Sequence, residues 1–315
     1  MRSWLLEKCT FGLSSIVALG VSSLAFADGG VNRHHQPDHA ESNFEIEYFS
    51  AGDSKSSIGG DAQLATSGVL IEAEHETNNM VFTFGYEQWN YNWTNSESLP
   101  FASGTFRDPW STFTTLQLGF AYEHEINDQW ELNYYVEAES SYEKETSGSN
   151  EYELGVDFTY EASKAWIFTL NLNYEYLDSE GAAVGVDFGI EWNHDTKEGW
   201  SGEFEISTEF PETSLTYHFI EELSTTMFFN ESGTNTIRLS DSSPVTGMQG
   251  GYLEDEYNSI GIQLNYELAD EGYLSFSVQR NMNRQLSFTD SSGATDTTYK
   301  FDDSTEIAIM YSHTF

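Results

Sequence analysis

Along most of the chain, apolar and polar residues alternate with a period of two, in stretches of about ten residues. That period belongs to β-strands with one apolar face. In residues 166–177, Trp166, Phe168, Leu170, Leu172, Tyr174 and Tyr176 share one face, while Thr169, Asn171, Asn173 and Glu175 share the other. Residues 151–161 repeat this with Tyr152, Leu154, Val156, Phe158 and Tyr160 against Glu151, Glu153, Gly155, Asp157 and Glu161. Residues 183–193 set Val184, Val186, Phe188, Ile190 and Trp192 against Gly185, Asp187, Gly189 and Glu191.

The pattern predicts about 14 strands, with 12 as the alternative: 42–50, 66–76, 80–91, 112–125, 130–142, 151–161, 166–177, 183–193, 200–210, 213–221, 224–230, 256–268, 273–286 and 304–315. Alternation is weakest in 213–221 and 224–230. Every second connection is short, at 76–79, 126–129, 162–165, 194–199, 221–223 and 269–272. The longer ones, 51–65, 92–111, 231–255 and 287–303, are rich in Ser, Thr, Gly, Asn and Asp. Short turns alternating with long loops are expected of an up-and-down antiparallel barrel crossing a membrane. The predicted fold is therefore all-β, one transmembrane barrel over 42–315 with no internal domain boundary.

The N-terminus adds a location. Arg2 and Lys8 precede an apolar stretch over 11–24, followed by Ala25, Phe26 and Ala27. This has the form of a secretory signal peptide over 1–27 with an A-x-A cleavage site, leaving a polar leader at 28–41. Its apolar core falls short of the roughly 20 residues a membrane helix needs. The single cysteine, Cys9, lies within it, so the mature chain has no thiol chemistry and no disulfides.

Charge narrows the partners. The full chain carries 12 basic and 52 acidic residues. Removing 1–27 takes away Arg2, Lys8 and Glu7, leaving a formal net charge of -41. Nucleic acid is excluded, because no Lys or Arg cluster is present to neutralise phosphates. An acidic chain of mean hydropathy -0.47 invites comparison with disordered proteins. Its 18 Tyr, 22 Phe and 8 Trp at regular spacing argue against disorder.

Periodicity alone does not distinguish a membrane barrel from a soluble sandwich, whose apolar faces meet each other. Three features do. Tyr, Trp and Phe frame the apolar faces near strand ends, at Trp130, Trp166, Tyr176, Trp192, Trp200 and Phe210, as rings at a membrane interface do. The polar faces mix acids with Gly, Ser, Asn and Gln, as a wet lumen would. Finally, the segment TEIAIMYSHTF puts Ile307, Ile309 and Tyr311 in phase with Phe315. This ending resembles the closing strand of Gram-negative outer-membrane β-barrel proteins, with His313 where a large apolar residue is more usual. The resemblance implies an outer-membrane location, contact with membrane lipid, and recognition of Tyr311 and Phe315 by the barrel-assembly machinery. In length and strand number the chain is similar to the monomeric, porin-like pores of roughly 14 strands.

With the apolar face on lipid, the opposite parity turns Glu45, Glu47, Glu72, Glu74, Glu87, Glu131, Glu137, Glu139, Glu153, Asp157, Glu175, Asp187, Glu191, Glu203 and Glu205 toward the lumen. Lys55, Arg107, Lys144, Arg238 and Lys300 fall in outer loops, and Arg280 and Arg284 toward the outer end of the thirteenth strand. So many carboxylates in a dry interior would cost several kcal/mol each, so the lumen is expected to be hydrated or to hold cations, divalent ions among them. Acidic rings in a wet pore favour cations. The expected function is a passive channel for small hydrophilic solutes with cation preference and no cofactor. The alternative is a structural or adhesive surface barrel with a plugged lumen, in which Tyr91, Trp93 and Trp110 either contact a partner or fold inward.

Other candidate chemistry is sparse. His34, His35, Asp38 and His39 have ligand chemistry suited to a transition metal, but sit in the polar leader. The acidic stretch YLEDEY at 252–257 lacks the spacing of a calcium loop and reads as a solvated outer loop. A barrel-borne hydrolase is the enzymatic alternative, yet His75, His124, His194, His218 and His313 lie near strand ends and no nucleophile motif accompanies them.

Overall fold

The computed structural model describes residues 40–56, 61–99, 108–179, 181–206, 211–243, 247–268, 272–291 and 297–315. The expected signal peptide, the leader up to 39 with its histidines, Arg107 and Phe210 lie outside the described residues. The strands are β1 (Glu41–Lys55), β2 (Gln63–Thr77), β3 (Met80–Thr94), β4 (Thr112–Asn127), β5 (Trp130–Tyr142), β6 (Asn150–Ser163), β7 (Trp166–Leu177), β8 (Gly181–Trp192), β9 (Gly199–Ile206), β10 (Pro211–Ile220), β11 (Leu223–Arg238), β12 (Tyr252–Leu268), β13 (Gly272–Thr289), β14 (Thr297–Lys300) and β15 (Ser304–Thr314).

Each strand from β1 to β13 pairs antiparallel with the next. β15 joins β13 to β1, with Ser42 and Phe315 exchanging backbone hydrogen bonds of 2.9 and 3.0 Å. The result is a closed barrel of 14 strands. The remaining strand, the short β14, pairs only with the outer end of β13 and was not anticipated from the sequence. Closure gives every wall strand a neighbour on both sides, the arrangement that hydrocarbon favours. The turn between β2 and β3 shows how the sequence sets this locally. Asn78 and Asn79 take φ of 48° and 65°, the left-handed pair that a two-residue hairpin turn needs.

One end of the barrel carries the short turns, the start of β1 and the end of β15, and the other carries the long connections. Between them the apolar face points outward. Leu118 is 62% exposed, Leu154 55% and Val184 67%, whereas Glu45 and Glu153 on the opposite face are 1% and 3% exposed. A soluble protein rarely exposes a contiguous apolar surface of this extent, so the exterior is a lipid-facing belt. Rings mark its turn-side margin. Trp130 stacks on Tyr160 at 4.5 Å, and Trp200 packs on Tyr217 at 4.8 Å.

Above the belt the pattern inverts. On β3, Phe82, Phe84 and Tyr86 face out, but Trp89, Tyr91 and Trp93 fall in the other phase and turn in. On β1 the switch lies between Tyr48 and Phe49. β1 to β4 and β11 to β13 thus continue past the belt as a cap with a dry core of Phe49, Leu64, Trp89, Tyr91, Trp110, Phe113, Ile237, Leu239, Leu253, Leu286, Phe288, Tyr299 and Phe301. This shortens the connections expected at 51–65, 231–255 and 287–303, because strands extend into them over 51–55, 63–65, 231–238, 252–255, 287–289 and 297–300. Their apolar residues are few but inward-facing, so strand pairing continues there. The YLEDEY stretch likewise opens β12 and is no solvated loop, because Leu253 and Asp255 point into the cap core.

Candidate functional site

Below the cap, the inward face of the barrel carries carboxylates in opposed positions. Glu72 stands across from Glu45, Glu191 from Glu203, and Glu139 from Glu151. Glu137, Glu153 and Glu175 form a row across β5, β6 and β7. Like charges directly opposite one another are destabilising. Part of the repulsion is offset by polar side chains on the same face. Glu153 accepts from the Tyr135 hydroxyl at 2.7 Å and from Asn173 Nδ2 at 2.8 Å. Asp157 accepts from Asn171 at 2.6 Å and Asn133 at 3.3 Å, and Glu137 from Gln117 at 3.1 Å. Other acids lack such help. Neither oxygen of Glu45 meets a protein donor, nor does Oε1 of Glu151.

Of the acids expected inside, Glu45, Glu87, Glu153 and Glu175 are buried, while Glu47, Glu72, Glu74, Glu131, Glu137, Glu139, Asp157, Asp187, Glu191, Glu203 and Glu205 are half-buried. All lie in phase with the inward face. The strand pattern found this set because the belt keeps strict alternation. It set Glu151 on the polar face but left out Glu306, and both occupy the inward face and are themselves buried. Below the cap, no described Lys or Arg joins them. Arg280, Lys144 and Lys197 are 63%, 59% and 69% exposed.

At the boundary between acidic interior and cap lies one buried ion pair. Arg284 donates to Asp255 through Nε at 2.9 Å and Nη2 at 2.5 Å, with the two residues 2% and 0% exposed. The Tyr91 hydroxyl donates to the same carboxylate at 2.7 Å, and the guanidinium lies 5.8 and 5.9 Å from the rings of Tyr91 and Tyr257. Burial, with Asp255 beside it, pushes the Tyr91 phenol well above its ordinary pKa, so it remains the donor. Parity alone would place Arg280 and Arg284 on the same side. A bulge with Asn283 at φ 56° shifts the phase, so Arg280 pairs outside with Asp303 at 2.8 Å while Arg284 turns inward.

The histidines are dispersed. His75 meets Ser42 at 2.9 Å, His194 meets Asp195 at 3.1 Å, and His218 meets Ser201 at 3.2 Å. His313 stacks between Tyr311 and Phe315 on the last strand, with ring centroids 6.5 and 6.0 Å away. Among the described residues, no three of His, Cys, Asp and Glu are grouped as a metal centre.

No family model matches the sequence, and no curated protein matches it. Solved structures do resemble the fold. A TodX monoaromatic hydrocarbon channel carrying the deltaS2 mutation is 10% identical over 89% of this chain and 91% of its own, with a TM-score of 0.50. The TodX deltaS2S3 mutant is 8% identical over 98% of this chain and 96% of its own, with a TM-score of 0.51. A KdgM porin aligns over 86% of this chain and 99% of its own at 11% identity and a TM-score of 0.36. These structures are channels and porins rather than enzymes, and at such identities the likeness bears on fold alone. By its closed ring, its apolar exterior and this likeness, the chain has the fold of the outer-membrane β-barrels.

Proposed function

We propose that the chain is an outer-membrane channel through which small hydrophilic solutes diffuse, with a preference for cations. The observation that carries this reading is the one-signed interior. Carboxylates oppose one another across β1–β2, β5–β7 and β8–β9, while the one inward-facing guanidinium among the described residues is already neutralised by Asp255. A low-dielectric wall lined by one sign of charge raises the local concentration of counter-ions. Opposed glutamates also make divalent cations natural guests of the same interior. Export by a cleaved signal peptide at 1–27, assembly through the strand bearing Tyr311 and Phe315, and a monomeric state complete the proposal.

Planar-bilayer recording of the purified protein tests it. A salt gradient should give discrete current steps and a reversal potential on the cation-selective side. Anion-selective steps would overturn the preference. The cap core favours a second reading, a structural or adhesive barrel plugged at its loop end. A folded barrel that stays silent at every voltage would select that reading.

A further inference from the structure

We propose that Glu45 and Glu72 hold a hard divalent cation, calcium or magnesium, between them at the seam where the first and last strands close the ring. The site rests on the channel reading for an interior that admits cations, and on one carboxylate for its place. Glu45, on the inward face of β1, is 1% exposed, and neither of its oxygens is reached by solvent or met by a hydrogen-bond partner. An ionised carboxylate left in that state is strongly destabilising. The groups around it do not answer its charge. Ser312, opposite it on β15, and Tyr273, next in the row on β13, carry hydroxyls that do not donate to it. Opposite it on β2 stands a second carboxylate, Glu72, whose own charged neighbours are Glu45, Glu87, Glu74 and Glu47, every one of them acidic. The inward guanidinium of Arg284 is already paired with Asp255.

A proton alone does not resolve this. Protonated Glu45 would become a donor, and its oxygens meet no acceptor either. A cation does resolve it, because residues directly opposite in an antiparallel pair have Cβ atoms about 4.5–5.5 Å apart, a span that two glutamates can close on one ion. Carboxylate oxygens are the ligands that calcium and magnesium take, and both ions keep waters where protein ligands are few. That suits this place. Among the described residues no three acidic or histidine side chains group around a metal, and Glu72 is half-buried, so its side of the ion stays open to the lumen. Imidazole, which transition metals favour, is turned away: His75, on the same strand as Glu72, is exposed and meets Ser42 instead.

The position gives the ion a second role. β1 pairs with β2 on one side and with β15 on the other, so a bridge from Glu45 to Glu72 fastens the strand at which the ring closes. A cation bound by the folded chain alone then raises its stability as cation concentration rises.

Calcium is the probe. Its binding to the purified barrel is titrated calorimetrically, in enough monovalent salt to displace loosely held counter-ions, and urea unfolding is followed with calcium or with a chelator. Expected are saturable binding and, at about ten times the dissociation constant, a roughly tenfold rise in the folded-to-unfolded ratio. Glu45→Gln and Glu72→Gln, near-isosteric and checked for folding by heat-shifted gel mobility, should each lose one equivalent of binding and the stabilisation that goes with it. Glu131→Gln, an inward acid elsewhere on the wall, should keep both. A parent chain without saturable binding, or a Glu45→Gln variant that binds and is stabilised as the parent is, would overturn the site. So would an infrared band of a protonated carboxyl group that vanishes in Glu45→Gln and ignores calcium, which puts a proton there instead. Planar-bilayer recording separates this site from the channel reading. A barrel that conducts cations without such binding loses the site alone, and one that binds calcium through Glu45 but never conducts keeps the site and loses the channel.

Discussion

Replacing Arg284 by Met removes one cation from a place where its partner has no access to water. Asp255 is 0% exposed and would keep only the Tyr91 hydroxyl at 2.7 Å. Lost with the guanidinium are two bonds to Asp255, at 2.9 and 2.5 Å, a long contact to Thr66 Oγ1 at 3.4 Å, and the ring contacts with Tyr91 and Tyr257. Breaking one side of a buried pair costs about 3–5 kcal/mol, because the surviving charge is stranded. At about 1.4 kcal/mol per factor of ten, cap opening should become roughly a hundred to several thousand times more frequent. Adding Asp255→Leu removes the stranded charge and should return stability to within about 1 kcal/mol of the parent, since apolar replacement of a whole buried pair is often neutral. The assay is amide hydrogen exchange over 231–238 and 252–256, read peptide by peptide. A single variant exchanging within threefold of the parent, or a double variant as labile as the single, would refute the reasoning.

Gly68→Val should destabilise by about 1–3 kcal/mol in urea unfolding followed by Trp fluorescence, because its Cβ would lie 2.3 Å from the Phe49 ring and 2.5 Å from the Gln88 carbonyl. Phe49 would then lose its seat against Trp89, 4.4 Å away. Val136→Arg, at an outward position in the middle of β5, should cost about 2–4 kcal/mol in a folding titration into bilayers. An effect within about 0.5 kcal/mol, the usual result for a solvated surface, would contradict lipid contact there.

The barrel was legible because lipid on one side and acids on the other enforce alternation, and all 14 expected wall strands are present. The cap was not, because its strands reverse which face is apolar, and residues such as Ile237, Leu253 and Phe288 are diluted among Ser, Thr and Asn that read as loop. A signal existed nonetheless. Trp89, Tyr91 and Trp93 break phase with Phe82, Phe84 and Tyr86, and such a switch marks where hydrocarbon ends. The inward turn of Arg284 had no comparable trace, since it depends on a bulge at Asn283 that shifts parity without changing composition. Inward acids in the belt were readable one by one, but their opposition across strands became visible only with the register.

The central claim is that the outward apolar face touches lipid while the acidic face touches water. Single nitroxide labels along β7, at Leu170, Leu172 and Tyr174 on one face and Asn171 and Asn173 on the other, measure this by relaxation with oxygen and with a water-soluble nickel complex. The account predicts an alternating record, with the first three relaxed by oxygen and shielded from nickel, and the other two the reverse. Leu170, Leu172 and Tyr174 relaxed by nickel, or shielded from both agents as in the core of two packed sheets, would contradict it.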